Sequence, residues 1–146
     1  MKNILVGVDL NEKTDVLIEK AQNLALKYGA KLWLLHVTSP LPEYVGFDVT
    51  PHYSTEGSET IKETQRKRLA KFVDELKKQG LDADAIVMDG VPTATIIDES
   101  KELNVDLIIC GHHEHSVFYN MLFGSTSASI VRNSEIPVLV YPLKEK

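Results

Sequence analysis

Several short runs of this chain are apolar without interruption, among them Ile4-Leu5-Val6, Leu32-Trp33-Leu34-Leu35, Leu107-Ile108-Ile109-Cys110 and Val138-Leu139-Val140. A strand with one face in water alternates apolar and polar residues, so unbroken runs of this length belong to strands covered on both faces. Between most of them the apolar residues recur at three- and four-residue intervals, the period of a helix with one buried stripe. Few architectures accommodate that alternation. Parallel strands joined by crossover helices, with helices on both faces of the sheet, satisfy it.

The first strand is expected over Asn3 to Val8, bounded by Asp9, and the second over Lys31 to Val37. Between them Leu17, Ala21, Leu24, Ala25 and Tyr28 mark a helix from Glu12 to Tyr28, with Gly29 as its stop. A second helix is expected over Ser58 to Gln79, capped by Ser58, with Ile61, Leu69, Phe72, Val73 and Leu76 on its inner face. Strands over Ala83 to Met88, Asp106 to Cys110 and Pro137 to Tyr141, and helices over Pro92 to Leu103 and Gly124 to Arg132, complete the pattern. Thr38 to Gly57 has no period but carries Pro40, Pro42, Pro51, Tyr44, Phe47 and Tyr53. That stretch reads as a lid, mobile without ligand and ordering over the crevice on binding. The fold class is α/β, a three-layer open parallel five-stranded sheet, and 146 residues suit a single domain spanning 1–146.

Sixteen basic and 21 acidic residues give a net charge of -5, which opposes a nucleic-acid backbone as the main partner. The apolar runs fall far below the roughly 20 residues of a membrane-spanning helix. Cys110 is the only cysteine, which excludes an internal disulfide and suits a reducing compartment. A cytoplasmic protein is the expectation.

Ligands of such sheets bind beyond the carboxyl ends of the strands, where strand order reverses. Asp9, Val37 and Gly111 all stand at those ends, and they share one crevice if the first and fourth strands are neighbours. Gly124-Ser125-Thr126-Ser127 opens the fourth helix, where free amides, a positive dipole end and small hydroxyl residues accommodate a phosphate. The same residues also suit plain capping by Ser125. Cys110 reads as a small core residue and His36 as a satisfied strand histidine. His112, His113 and His115 lie close together, but neighbouring side chains diverge, so hydrogen bonding is expected there rather than a metal site. A phospho-receiver role for Asp89 fails because Asp9 has no acidic neighbour and the last strand has no lysine.

The whole chain resembles the universal stress protein family. Ile4-Leu5-Val6-Gly7-Val8-Asp9, Leu34-Leu35-His36-Val37, Gly90 with Ile96, Asp106 to Gly111, Gly124-Ser125 and Ile136-Pro137-Val138-Leu139-Val140 carry the resemblance. It implies strand order 3-2-1-4-5 and a stress-response regulator that binds ATP, with Mg2+ as a candidate companion. The implied site has Asp9 by the ribose or metal, adenine on the Val37 backbone, and phosphates on Gly111, Gly124, Ser125 and Thr126. The family signature of Gly, two residues, Gly, nine residues, Gly-Ser/Thr is met at Gly111, Gly124 and Ser125, whereas Glu114 stands at its second glycine. Cys110-Gly111-His112-His113 resembles the branch that does not retain ATP, so a nucleotide-free dimeric interaction protein is the alternative. No arginine or lysine stands beside the phosphate segment, and slow or absent hydrolysis is expected. The last strand, Val138 to Tyr141, is an apolar edge, and both this and the resemblance imply a homodimer paired antiparallel through it. A further protein partner is expected, of unspecified identity.

Overall fold

Among the described residues, period and burial resolve into nine elements: β1 (Asn3–Gly7), α1 (Thr14–Tyr28), β2 (Lys31–Thr38), α2 (Thr55–Lys78), β3 (Ala83–Asp89), α3 (Pro92–Glu102), β4 (Leu107–His113), α4 (Thr126–Asn133) and β5 (Val138–Leu143). The computed structural model describes residues 1–10, 12–38, 55–113 and 126–143. The centre of the expected lid, with Glu114, His115, Gly124 and Ser125, lies outside the described residues. All four strand pairings are parallel and the order is β3-β2-β1-β4-β5, as the resemblance implies.

Because successive side chains of a strand point to opposite faces, each apolar run feeds two cores. Ile4, Val6, Leu32, Leu34 and Ile109 face one way, against Leu17, Ile18 and Ala21 of α1 and Leu69, Val73 and Leu76 of α2. Leu5, Leu35 and Ile108 face the other, against Ile96 of α3 and Ile130 of α4. Ile4, Leu5, Leu34, Ile108 and Ile109 are fully buried, and each such side chain stabilises the fold by about 1.5–3 kcal/mol relative to exposure. α1 stops at Gly29, whose φ of 64° suits a residue without a β-carbon, and its N–H donates to Ala25 O.

Several boundaries differ from the expectation. α2 begins at Thr55, so Ser58 lies inside the helix rather than capping it, and Ile61 is 53% exposed rather than on the core face. α1 begins at Thr14, and Lys13 occupies its N-cap position without a side-chain cap. β4 runs through Gly111 and His112 to His113 because β5 lies beside it, pairing Gly111 with Tyr141, His112 with Pro142 and His113 with Leu143. β5 itself continues through Pro142. Ile108 N donates to Pro137 O, so the odd-numbered residues of this strand face β4 and the even-numbered ones face outward. The missing N–H of Pro142 therefore falls on the open edge and removes no ladder bond.

Candidate functional site

β1 is the central strand and the shortest, five residues against eight in β2 and seven in β4. Its neighbours overrun its end, and a cleft opens there, with about 480 Å3 of empty space that includes its open mouth. The cleft is lined by Val8 and Asp9 beyond β1, Val37 of β2, Cys110 and Gly111 of β4, and Thr126 and Ser127 at the start of α4. Four of the six residues expected from the sequence, Asp9, Val37, Gly111 and Thr126, thus come together, and Gly124 and Ser125 lie outside the described residues. Pro92 and Ile96 of α3 also line the cleft and were not anticipated. Ile96 belongs to the family pattern, but its helical spacing assigns it to the core rather than to a site.

The register of β2 decides what its backbone presents. Lys31 N donates to Lys2 O and Leu35 O accepts from Val8 N (2.8 Å each), so odd-numbered residues of β2 turn their N–H and C=O toward β1. Leu32 N donates to Asp82 O and Thr38 O accepts from Gly90 N, so even-numbered ones turn toward β3. Val37 is odd. Its N–H and C=O face the side on which β1 has ended, since the pairing with β1 stops at Gly7 opposite Leu35. Leu10, in the left-handed region at φ 59°, carries the chain out of the ladder. Among the described residues no backbone group bonds Val37 N–H or C=O across that gap. His36 is buried, as expected, and its Nδ1–H donates to Val8 O at 2.6 Å.

The rest of the cleft is weakly polar. Thr126 is exposed at the mouth and Ser127 is buried, with its Oγ 3.5 Å from His112 Nδ1. Burial, and secondarily the charge of Asp9, pushes the Cys110 thiol up to about 11, so it is an un-ionised wall group at neutral pH. Among the described lining residues there is no lysine or arginine. Gly111 also has a packing role: a β-carbon there would lie 2.4 Å from Leu143 Cδ1 and 3.6 Å from Leu17 Cδ2. Asp89 is held at the sheet edge by Lys62, whose Nζ donates to its Oδ2 at 2.8 Å. No group of three or more histidine, cysteine or acidic residues is placed to hold a metal ion among the described residues.

Residues 1–142 match the profile of the Universal stress protein family. The chain belongs to that family. A universal stress protein A homolog from Haemophilus influenzae is 30% identical over 148 residues, covering 99% of each chain. Among solved structures, a hypothetical protein studied as a structural-genomics test case superposes with a TM-score of 0.82 at 23% identity, covering 99% of this universal stress protein and 98% of the other chain. A universal stress protein in complex with cAMP has a TM-score of 0.68 at 22% identity, covering 96% and 95%. One from Archaeoglobus fulgidus in complex with dAMP has 0.60 at 20%, covering 96% and 97%. No helix among the described residues is long and apolar enough to cross a membrane.

Proposed function

We propose that this universal stress protein is a cytoplasmic stress-response regulator that binds ATP, with Mg2+, in the cleft at the ends of β1, β2 and β4. The observation that carries the reading is the Val37 backbone, an adjacent donor and acceptor outside the ladder and facing the cleft. Adenine offers the complementary pair, N1 as acceptor and the 6-amino group as donor. Asp9 would sit by the ribose hydroxyls or the metal, and Gly111, Gly124, Ser125 and Thr126 around the phosphates, where helix-start amides favour an anion. The related structures holding cAMP and dAMP support an adenine nucleotide as the ligand class. The lining has no cation among its described residues to stabilise a transferring phosphoryl group, which suits a protein that holds nucleotide rather than one that turns it over. The whole chain would act as one domain. Its dimer would form through the outward N–H and C=O groups of Val138 and Val140, with Pro142 ending the pairing.

A second reading, the nucleotide-free dimeric interaction protein, is favoured by one observation: Leu143 and Leu17 already account for a glycine at 111 without any ligand. Native mass spectrometry of freshly purified protein reads both retained nucleotide and oligomer mass. In calorimetry the wild type is expected to bind ATP, Gly124→Val to lose it and Glu114→Gly to tighten it. No heat from either the wild type or Glu114→Gly would leave the interaction protein as the answer.

A further inference from the structure

The parallel ladder between β1 and β2 has an obvious next step that is not taken. Val8 N donates to Leu35 O, which turns Val8 toward β2, and in a regular ladder Val8 O would then accept from Val37 N–H. The pairing stops one bond earlier, at Gly7 opposite Leu35. The acceptor is instead taken by a side chain, for His36 Nδ1–H donates to Val8 O at 2.6 Å. His36 is 9% exposed, so water does not compete freely for that carbonyl. A carbonyl left without a donor at this depth would be costly, and the two candidate donors are the His36 ring and the Val37 amide.

We infer that His36 is a positioning residue: by occupying Val8 O it keeps the Val37 N–H out of the sheet and turned toward the cleft. The inference rests on the adenine reading for its use, though not for its geometry. With the histidine donor in place, Val37 presents N–H and C=O together, the pattern that accepts adenine and rejects hypoxanthine, whose N1–H and O6 reverse it. Without the donor, Val8 O recruits Val37 N–H, β1 and β2 zip one step further, and only the Val37 carbonyl remains for the base. A buried histidine explained by packing alone would not make that difference, because a leucine of similar bulk would replace it without altering which backbone groups are bonded.

Two variants separate these possibilities. His36→Leu keeps apolar bulk and removes the donor, whereas His36→Asn places an amide N–H where Nδ1 stands. The first readout needs no nucleotide: amide hydrogen exchange by NMR on the unliganded protein. The wild type and His36→Asn are expected to exchange the Val37 amide at least tenfold faster than the laddered Leu35 amide, and His36→Leu to slow Val37 to the Leu35 rate. The second readout is calorimetric titration with ATP and ITP. His36→Leu is expected to bind ATP about tenfold more weakly, the worth of one net hydrogen bond, and to lose a similar factor of its preference for ATP over ITP, with His36→Asn restoring both. A Val37 amide as protected as Leu35 in the wild type would overturn the inference even if His36→Leu fails to fold. So would an unchanged ATP to ITP ratio in a folded His36→Leu that binds ATP. If Val37 becomes protected in His36→Leu while no variant binds either nucleotide, the positioning role stands and the adenine reading falls.

Discussion

Replacing Gly111 with alanine tests whether that glycine is there for packing. The added β-carbon would lie 2.4 Å from Leu143 Cδ1 and 3.2 Å from Leu143 Cγ, well inside the roughly 3.5–4.0 Å at which carbon atoms rest against each other. Moving the terminal methyl alone does not relieve the contact with Cγ, and Leu143 is only 5% exposed, so the whole side chain must shift within a packed layer. Overpacking of this kind costs about 1–3 kcal/mol. With a urea dependence of about 2 kcal/mol per molar, the unfolding midpoint should fall by about 0.5–1.5 M. The decisive measurement is a double-mutant cycle with Leu143→Ala. That substitution alone empties a buried site and should cost about 2–5 kcal/mol, but it also makes room for the new methyl. Gly111→Ala in the Leu143→Ala background should then be close to neutral, a coupling of about 1–3 kcal/mol. An equal cost in both backgrounds, or no cost in the wild type, would refute the packing account. The result also governs any binding assay on Gly111, because lost nucleotide affinity in Gly111→Ala has to be separated from a shifted Leu143.

Two further outcomes follow from titrating groups. The Cys110 thiol, pushed up to about 11 by burial and then by Asp9, should alkylate with iodoacetamide at about pH 8 on the order of a hundredfold more slowly in the folded than in the unfolded protein. Mass spectrometry of the adduct checks this, and comparable rates would contradict the burial. Asp106 accepts hydrogen bonds from the amides of Asn3 (3.0 Å) and Lys2 (2.7 Å), which hold its carboxyl below the ordinary value of 3.8. A depressed folded value stabilises above the unfolded one and is lost as pH falls through the folded one, so below about pH 4 the urea midpoint should drop more steeply in the wild type than in Asp106→Asn. Parallel curves would remove this linkage.

The alternation of doubly covered strands and striped helices made the layer arrangement legible, because burial on both faces leaves no polar positions to confuse the reading. The element ends were less so. Gly111 and His112 carry no strand signal of their own and become strand because β5 runs beside them, a long-range pairing that local sequence does not encode. Ile61 satisfies the helical period yet is exposed, since period places a residue on a face without saying how far the covering layer extends. At the cleft, Asp9, Val37, Gly111 and Thr126 could be placed from strand ends and the family pattern. The state of the Val37 amide could not, for it depends on where β1 stops relative to β2 and on one side-chain bond between them.

A recess produced by one strand stopping short is specified by chain length more than by side-chain identity. Substitutions at its walls change its lining but not its existence, which is consistent with solved structures at 23% and 20% identity sharing the fold over nearly their whole lengths. Insertions and deletions are the perturbations it should tolerate least. One residue added directly after Gly7 would move each later residue there on by one position, turning the now buried Val8 to where Asp9 is exposed. In this fold, variation in the length of that turn is therefore expected to be rarer than variation in its residues.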